Sequence, residues 1–143
     1  KEISISEVFE KNQLIDVRGL TKGKGLVGPV KRFGITLKSH KSEKGVRRPG
    51  SLGPWHPARV TYRAPMAGQL GMFTRVTYNN KILEIGKADG KFNSIKNFGD
   101  VKTDYILVRG SVQGPAKRQL LLTTALRPTK KQLKKNFELL EMR

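Results

Sequence analysis

The sequence predicts a mainly β fold: a small β-barrel with a long irregular basic loop extension and short terminal helices. Several short segments alternate apolar and polar residues between glycine-rich turns, which is the pattern of β-strands. Residues 31–81 differ, because they hold eleven Lys or Arg and one acid. Only nine of those 51 residues are Leu, Ile, Val or Phe, against fifteen of the 45 residues in 82–126.

A charged segment with less than about 20% of these apolar residues does not order by itself. We therefore expect the 143 residues to form a single domain with barrel strands at about 14–37 and 81–126. A long basic loop occupies about 38–80, and a C-terminal helix spans 129–141. The loop should take its order from a polyanionic partner.

The elements near the start follow from local patterns. Ser4 and Glu7 have the spacing of a capping box, which predicts a short helix ending near Lys11. Residues 14–20 alternate as a strand. A glycine-rich loop follows, and residues 30–37 resume as extended chain.

The later strands are predicted from alternation and turn residues. Residues 58–63 and 72–78 alternate, and Asn79 with Asn80 is expected to form a turn before a strand at 81–85. Segments 105–109 and 118–122 are expected to pair. The barrel core should comprise Ile15, Val17, Ile82, Ile85, Ile106, Val108, Leu120 and Leu122.

A formal net charge of +18 favours binding to nucleic acid, since each neutralised phosphate releases counterions. No apolar run is long enough to span a bilayer, so we expect no membrane association. The absence of cysteine excludes disulfides and thiolate-based sites. His40 and His56 lack metal-ligand spacing, and Glu43 is the one acid in residues 17–83, which argues against catalysis and against a metal site.

The segment Gly23 to Gly28 matches the G-x-G-x-x-G dinucleotide pattern, which leaves a nucleotide-dependent enzyme as one alternative. No βαβ unit is predicted around it, so we expect no cofactor. Its glycines instead allow backbone N–H groups to approach phosphate closely.

A stiff segment rich in Gly and Pro, Gly50 to Pro57, contains the single tryptophan and follows Arg47 and Arg48. Trp55 could stack on a base while the arginines contact phosphates or guanine edges. The alternative interpretation makes Trp55 a buried core residue. A free-standing regulatory nucleic-acid-binding protein is the rival function.

Five segments resemble the universal large-subunit ribosomal protein family L-three, in its archaeal or eukaryotic form: 16–25, 28–34, 50–60, 66–71 and 108–115. They read D-V-R-G-L-T-K-G-K-G, G-P-V-K-R-F-G, G-S-L-G-P-W-H-P-A-R-V, M-A-G-Q-L-G and V-R-G-S-V-Q-G-P. The chain corresponds to the later portion of that family only. One departure is Gln113, where the family has proline in its V-P-G-P turn.

The resemblance implies a structural rRNA-binding protein of the large subunit, on cytoplasmic ribosomes. It implies that the basic loop reaches toward the peptidyl transferase centre, with Trp55 at its tip, and supports subunit assembly and aminoacyl-tRNA accommodation. The expected partners are large-subunit rRNA, neighbouring ribosomal proteins and a separate N-terminal portion of the same family protein. Expected RNA contacts are Lys22, Lys24, Lys31, Arg32, Lys38, Lys41, Lys44, Arg47, Arg48, Trp55, His56, Arg59, Arg63, Gln69, Arg75, Lys117 and Arg118.

Overall fold

The computed structural model describes residues 3–41, 43–88, 90 and 92–140. The chain divides into two compact units, unit 1 (residues 1–21 and 74–143) and unit 2 (residues 22–73). The elements are α1 (Ile5–Val8), β1 (Leu14–Leu20), β2 (Leu26–Val27), α2 (Pro29–Phe33), β3 (Gly68–Gln69), β4 (Thr74–Lys87), β5 (Asp104–Val108), β6 (Leu121–Thr124) and α3 (Lys130–Leu133). The mainly β class is confirmed, and the single-domain assignment stays a prediction.

Unit 1 contains a four-stranded antiparallel sheet in the order β5-β4-β1-β6. The long strand β4 pairs with β1 through its first half and with β5 through its second half. The pairings of the described strands leave β5 and β6 as the outer strands. Closure of this sheet into a barrel therefore stays a prediction.

The predicted core is confirmed residue by residue. Ile15, Val17 and Ile82 have no exposed surface, and the five other predicted residues pack against them. Phe9 also packs there, and Leu14 is buried as well. Alternation identified this set because successive side chains of a strand point to opposite faces of the sheet.

The predicted turn at Asn79 and Asn80 is wrong, since β4 runs through both residues. The strand bends there instead: Asn79 has a φ of 56°, and the register with β1 shifts between Ile15 and Val17. The buried carboxylate of Asp16 accepts hydrogen bonds from Asn79 N at 2.9 Å and Leu126 N at 3.2 Å. The Asp16 carboxylate inside the sheet thus stabilises an irregularity in β4. The local residues had predicted that the strand would end in a turn at this point.

The predicted pairing of segments 105–109 and 118–122 is also wrong. β5 pairs with β4, whereas β6 begins at Leu121 and pairs with β1. The connection between β5 and β6 is far longer than a tight hairpin turn, so it can pass from one edge of the sheet to the other.

Both terminal helices are shorter than predicted. The Ser4 side chain makes no capping hydrogen bond to the α1 backbone, and α1 ends at Val8. α3 ends at Leu133 rather than at 141, and residues 134–140 are not helical. The buried ammonium of Lys81 donates to carbonyl oxygens at the end of α3. It takes the place of the backbone N–H groups that a further helical turn would supply, and the helix ends there. Position 141 lies outside the described residues.

Residues 29–33 form α2 rather than the extended chain predicted for 30–37. Pro29 occupies the first turn, where its missing N–H removes no hydrogen bond. Gly34 ends the helix in the left-handed conformation with a φ of 68°. The sequence carried both signals, but five residues are too few to show helical periodicity.

Candidate nucleic-acid interface

Unit 2 carries most of the expected RNA contacts on very little regular structure. It contains eleven Lys or Arg, and Glu43 is its only acid. Besides α2, the regular structure of its described residues is the short antiparallel pair β2 and β3. The arrangement of its cations therefore depends on side-chain and loop contacts.

Arg32 on α2 acts as an internal clamp in unit 2. Its Nε donates to the carbonyl oxygen of Gln69 and its Nη1 to that of Met66, each at 3.0 Å. A Cβ added at Gly68 would lie 2.9 Å from the guanidinium carbon, so a side chain there would displace the guanidinium. Arg32 is one of the expected phosphate contacts. Two of its donors are instead directed to backbone carbonyl oxygens of β3 and of the segment just before it.

The glycine-rich segment before β2 is held as a continuation of the β2–β3 pair. Lys24 N donates to Leu70 O at 3.0 Å, and Leu70 N donates to Gly25 O at 2.9 Å. Gly71 has a φ of 83°, and a Cβ there would lie 2.0 Å from Lys22 O. This backbone pairing leaves the side chains of Lys22 and Lys24 exposed.

The Gly/Pro-rich tip is closed by contacts at its base. Leu52 O accepts from Thr61 N at 3.2 Å, and Gly53 approaches Arg59 O so closely that a Cβ would lie 2.6 Å from it. Trp55 at the apex is 88% exposed and meets the His56 ring edge-on at 6.5 Å. The core interpretation of Trp55 is therefore wrong. The strand predicted at 58–63 is absent, because these residues close the tip instead.

A second exposed aromatic residue follows the tip, and sequence reasoning missed it as a contact. Tyr62 is 89% exposed. The Nε of Arg63 donates to its hydroxyl at 2.9 Å, and the guanidinium carbon lies 5.4 Å from the ring centroid. An exposed ring beside an arginine can stack on a base while the cation contacts phosphate. The adjacent Tyr-Arg pair was the available signal.

The remaining predicted contacts differ in availability. Lys38 forms an ion pair with Glu43 at 3.3 Å, and the Gln69 side chain donates to Gly71 O at 3.2 Å. In unit 1, Arg75 and Lys117 are exposed, and Arg118 is half-buried. Exposed positions in unit 2 include Lys31, Lys41, Lys44, Arg47, Arg48 and Arg59.

The described part of the chain gives little support to a metal site, a membrane-spanning helix or a dinucleotide site. No group of three or more His, Cys, Asp or Glu residues is arranged to hold a metal ion among the described residues. No described helix is long and apolar enough to cross a membrane. The G-x-G-x-x-G segment leads into the five-residue α2 rather than into the long helix of a dinucleotide-binding unit.

Comparison with known proteins decides the family. The model of the family described as ribosomal protein L3 matches residues 1–141. The chain belongs to this family. The resemblance stated from its motifs is thereby confirmed, and members of the family are structural components of the ribosome rather than enzymes.

Archaeal proteins named large ribosomal subunit protein uL3 are similar to this chain. The protein of Methanococcus aeolicus is 48% identical over 132 residues, covering 89% of this chain and 40% of that protein. The protein of Archaeoglobus fulgidus is 45% identical over 135 residues, covering 91% of this chain and 41% of that protein. The protein of Nanoarchaeum equitans is 44% identical, covering 94% of this chain and 42% of that protein. The chain thus spans about two fifths of the length of these relatives.

Proposed function

We propose that this chain is a structural rRNA-binding component of the large subunit of cytoplasmic ribosomes. Its partners are then large-subunit rRNA, neighbouring ribosomal proteins and a separate N-terminal portion of the family protein. Family membership and the basic, acid-poor unit 2 support this function. Backbone phosphates would supply the polyanion that such a surface attracts.

The observation that carries the proposal is the exposure of Trp55 at a closed, stiff tip. An indole that is 88% exposed presents almost its whole ring for stacking on a base. The tip offers an indole and, further on, the Tyr62 ring to unpaired bases, with Arg59 and Arg63 near their phosphates. We further propose that this tip reaches toward the peptidyl transferase centre and supports aminoacyl-tRNA accommodation.

Ribosome sedimentation tests the assignment to the subunit. The tagged chain, expressed with its cellular partners, should migrate with large subunits at moderate salt. Migration only in free fractions would favour a regulatory nucleic-acid-binding protein that acts outside the ribosome.

Replacement of Trp55 tests the role of the tip. Trp55→Ala should leave incorporation into subunits intact, because the indole contributes almost nothing to the fold of unit 2. It should slow aminoacyl-tRNA accommodation or change sensitivity to drugs that bind near the catalytic centre. Leu26→Ala is a matched control, since Leu26 is 86% exposed in the same unit but lies outside the tip. Equal behaviour of the two variants in both assays would remove the tip from the proposal.

A further inference from the structure

The sheet of unit 1 has a second face, opposite its hydrophobic core. Side chains alternate along a strand, so Arg18 lies on the face opposite the buried Val17. Arg18 pairs with Val76 of β4 on one side and with Leu121 of β6 on the other. A cation therefore occupies the middle of this face rather than an edge of the sheet.

Arg18 opens onto a cleft of about 410 Å³. Arg118, on the segment before β6, lines the same cleft, and both arginines are half-buried. None of the described residues that line the cleft is acidic. Other lining residues are Leu20, Thr74, Gln119 and Leu121.

The Nε of Arg18 is buried and has no hydrogen-bond partner among the described residues. The acid on the same face of β1 is Asp16, but its two oxygens accept from the backbone N–H groups of Asn79 and Leu126. A buried guanidinium donor without an acceptor is costly, and native structures rarely leave one unexplained. The half-buried guanidinium lines the cleft, so an anion that enters the cleft lies beside this side chain.

We propose that this cleft binds a backbone phosphate of large-subunit rRNA. Arginine donors match the geometry of phosphate oxygens, and partial burial protects the contact from screening by salt. Leu20 and Leu121 supply apolar surface for the adjoining ribose, and Leu121 is 60% exposed beside the cleft. This site rests on the proposed RNA-binding function, which supplies the phosphate, but it lies outside unit 2.

The first test follows the Arg18 Nε–H resonance by NMR in the full chain. Titration with dimethyl phosphate, which represents a phosphodiester, should shift this resonance saturably. The Nε–H of Arg109 is the internal control, because its guanidinium stacks on Phe137 at 4.1 Å away from the cleft. A saturable shift with inorganic phosphate alone would indicate a small-anion site and overturn the RNA assignment. No preferential shift of Arg18 with either probe would overturn the site itself.

The second test measures rRNA affinity against salt concentration. Arg18→Gln should lower affinity about tenfold and reduce the salt slope by about 0.7–0.9, the value of one lost phosphate contact. Arg18→Lys should largely keep the slope. Lys102→Gln removes the same charge at an exposed position of unit 1 and should change affinity less than Arg18→Gln does.

The outcomes separate the two proposals. Failure of the unmodified chain to bind large-subunit rRNA would refute the proposed function. Normal binding by the unmodified chain, with Arg18→Gln equal to Lys102→Gln, would refute the cleft alone. If thermal melting shows that Arg18→Gln is unfolded, Arg118→Gln carries the same comparison with the same two outcomes.

Discussion

The ammonium of Lys81 on β4 lies 3.2 Å from the carbonyl oxygen of Leu133, the last residue of α3. It also donates to Gln132 O at 3.2 Å and to Asn136 Oδ1 at 3.3 Å, and only 4% of the residue is exposed. The end of a helix leaves carbonyl oxygens without partners and carries partial negative charge. Lys81 supplies both the hydrogen-bond donors and the positive charge that this helix end lacks. A cation within the basic segment 31–81 therefore stabilises the fold.

Lys81→Met should therefore lower the free energy of unfolding by about 1–3 kcal/mol, because the carbonyl oxygens at the end of α3 lose the donor that the buried ammonium supplies. Amide exchange in residues 130–136 should accelerate, measured by hydrogen exchange with mass spectrometry. Lys87→Met at the exposed end of β4 is the matched control and should change neither quantity much. Equal unfolding curves for the two variants would contradict the role given to Lys81.

Gln113 joins the long connection before β6 to β1 and β4. Its Nε2 donates to Val17 O at 3.0 Å and Arg75 O at 2.9 Å, and its Oε1 accepts from Thr77 Oγ1 at 2.7 Å. Proline, the family residue that the resemblance places here, could not make these contacts.

Gln113→Glu should destabilise unit 1 more than Gln113→Met does, with each variant losing about 1–3 kcal/mol in urea denaturation. The carboxylate would face two carbonyl oxygens, whereas methionine only removes the donor. A Glu variant as stable as the Met variant would show that these hydrogen bonds contribute little.

Arg32→Lys tests whether the clamp in unit 2 depends on guanidinium geometry. Lysine keeps the charge but cannot reach Met66 O and Gln69 O with two fixed donors. Amide exchange around β3 should accelerate, while the salt slope of rRNA binding stays unchanged. Lys31→Arg, at the exposed neighbouring position, should leave exchange unaltered. Unaltered exchange in Arg32→Lys would mean that the clamp is dispensable.

Two glycines of the tip form a natural pair for substitution. A Cβ at Gly53 would lie 2.6 Å from Arg59 O, whereas nothing lies within 4 Å of a Cβ at Gly50. Gly53→Ala should open the tip and lower the fluorescence anisotropy of Trp55, the only tryptophan. Gly50→Ala should leave this signal unchanged. The same anisotropy in both variants would argue against a closed tip.

Alternation predicted β1 and the core around Ile15, Val17 and Ile82, because strand faces follow directly from the order of residues. The turn predicted from residue type at Asn79 was wrong, because this residue lies inside a strand and binds Asp16, a residue far away in the chain. Local chemistry identified the basic unit and its tryptophan. It could not identify the Arg18 cleft, since Arg118 and Leu121, which also line the cleft, lie far from Arg18 along the chain.

The sequence by itself determined the charge distribution, the alternating core and the family, since each depends on residue type and spacing along the chain. Only the tertiary structure decided what each cation and ring does. Arg32 and Lys81 donate to carbonyl oxygens 34 or more residues away, while Trp55 remains exposed at a closed tip. Counting charges gives the strength of the field, but hydrogen-bond donors are assigned by contacts between distant segments, which local patterns do not contain.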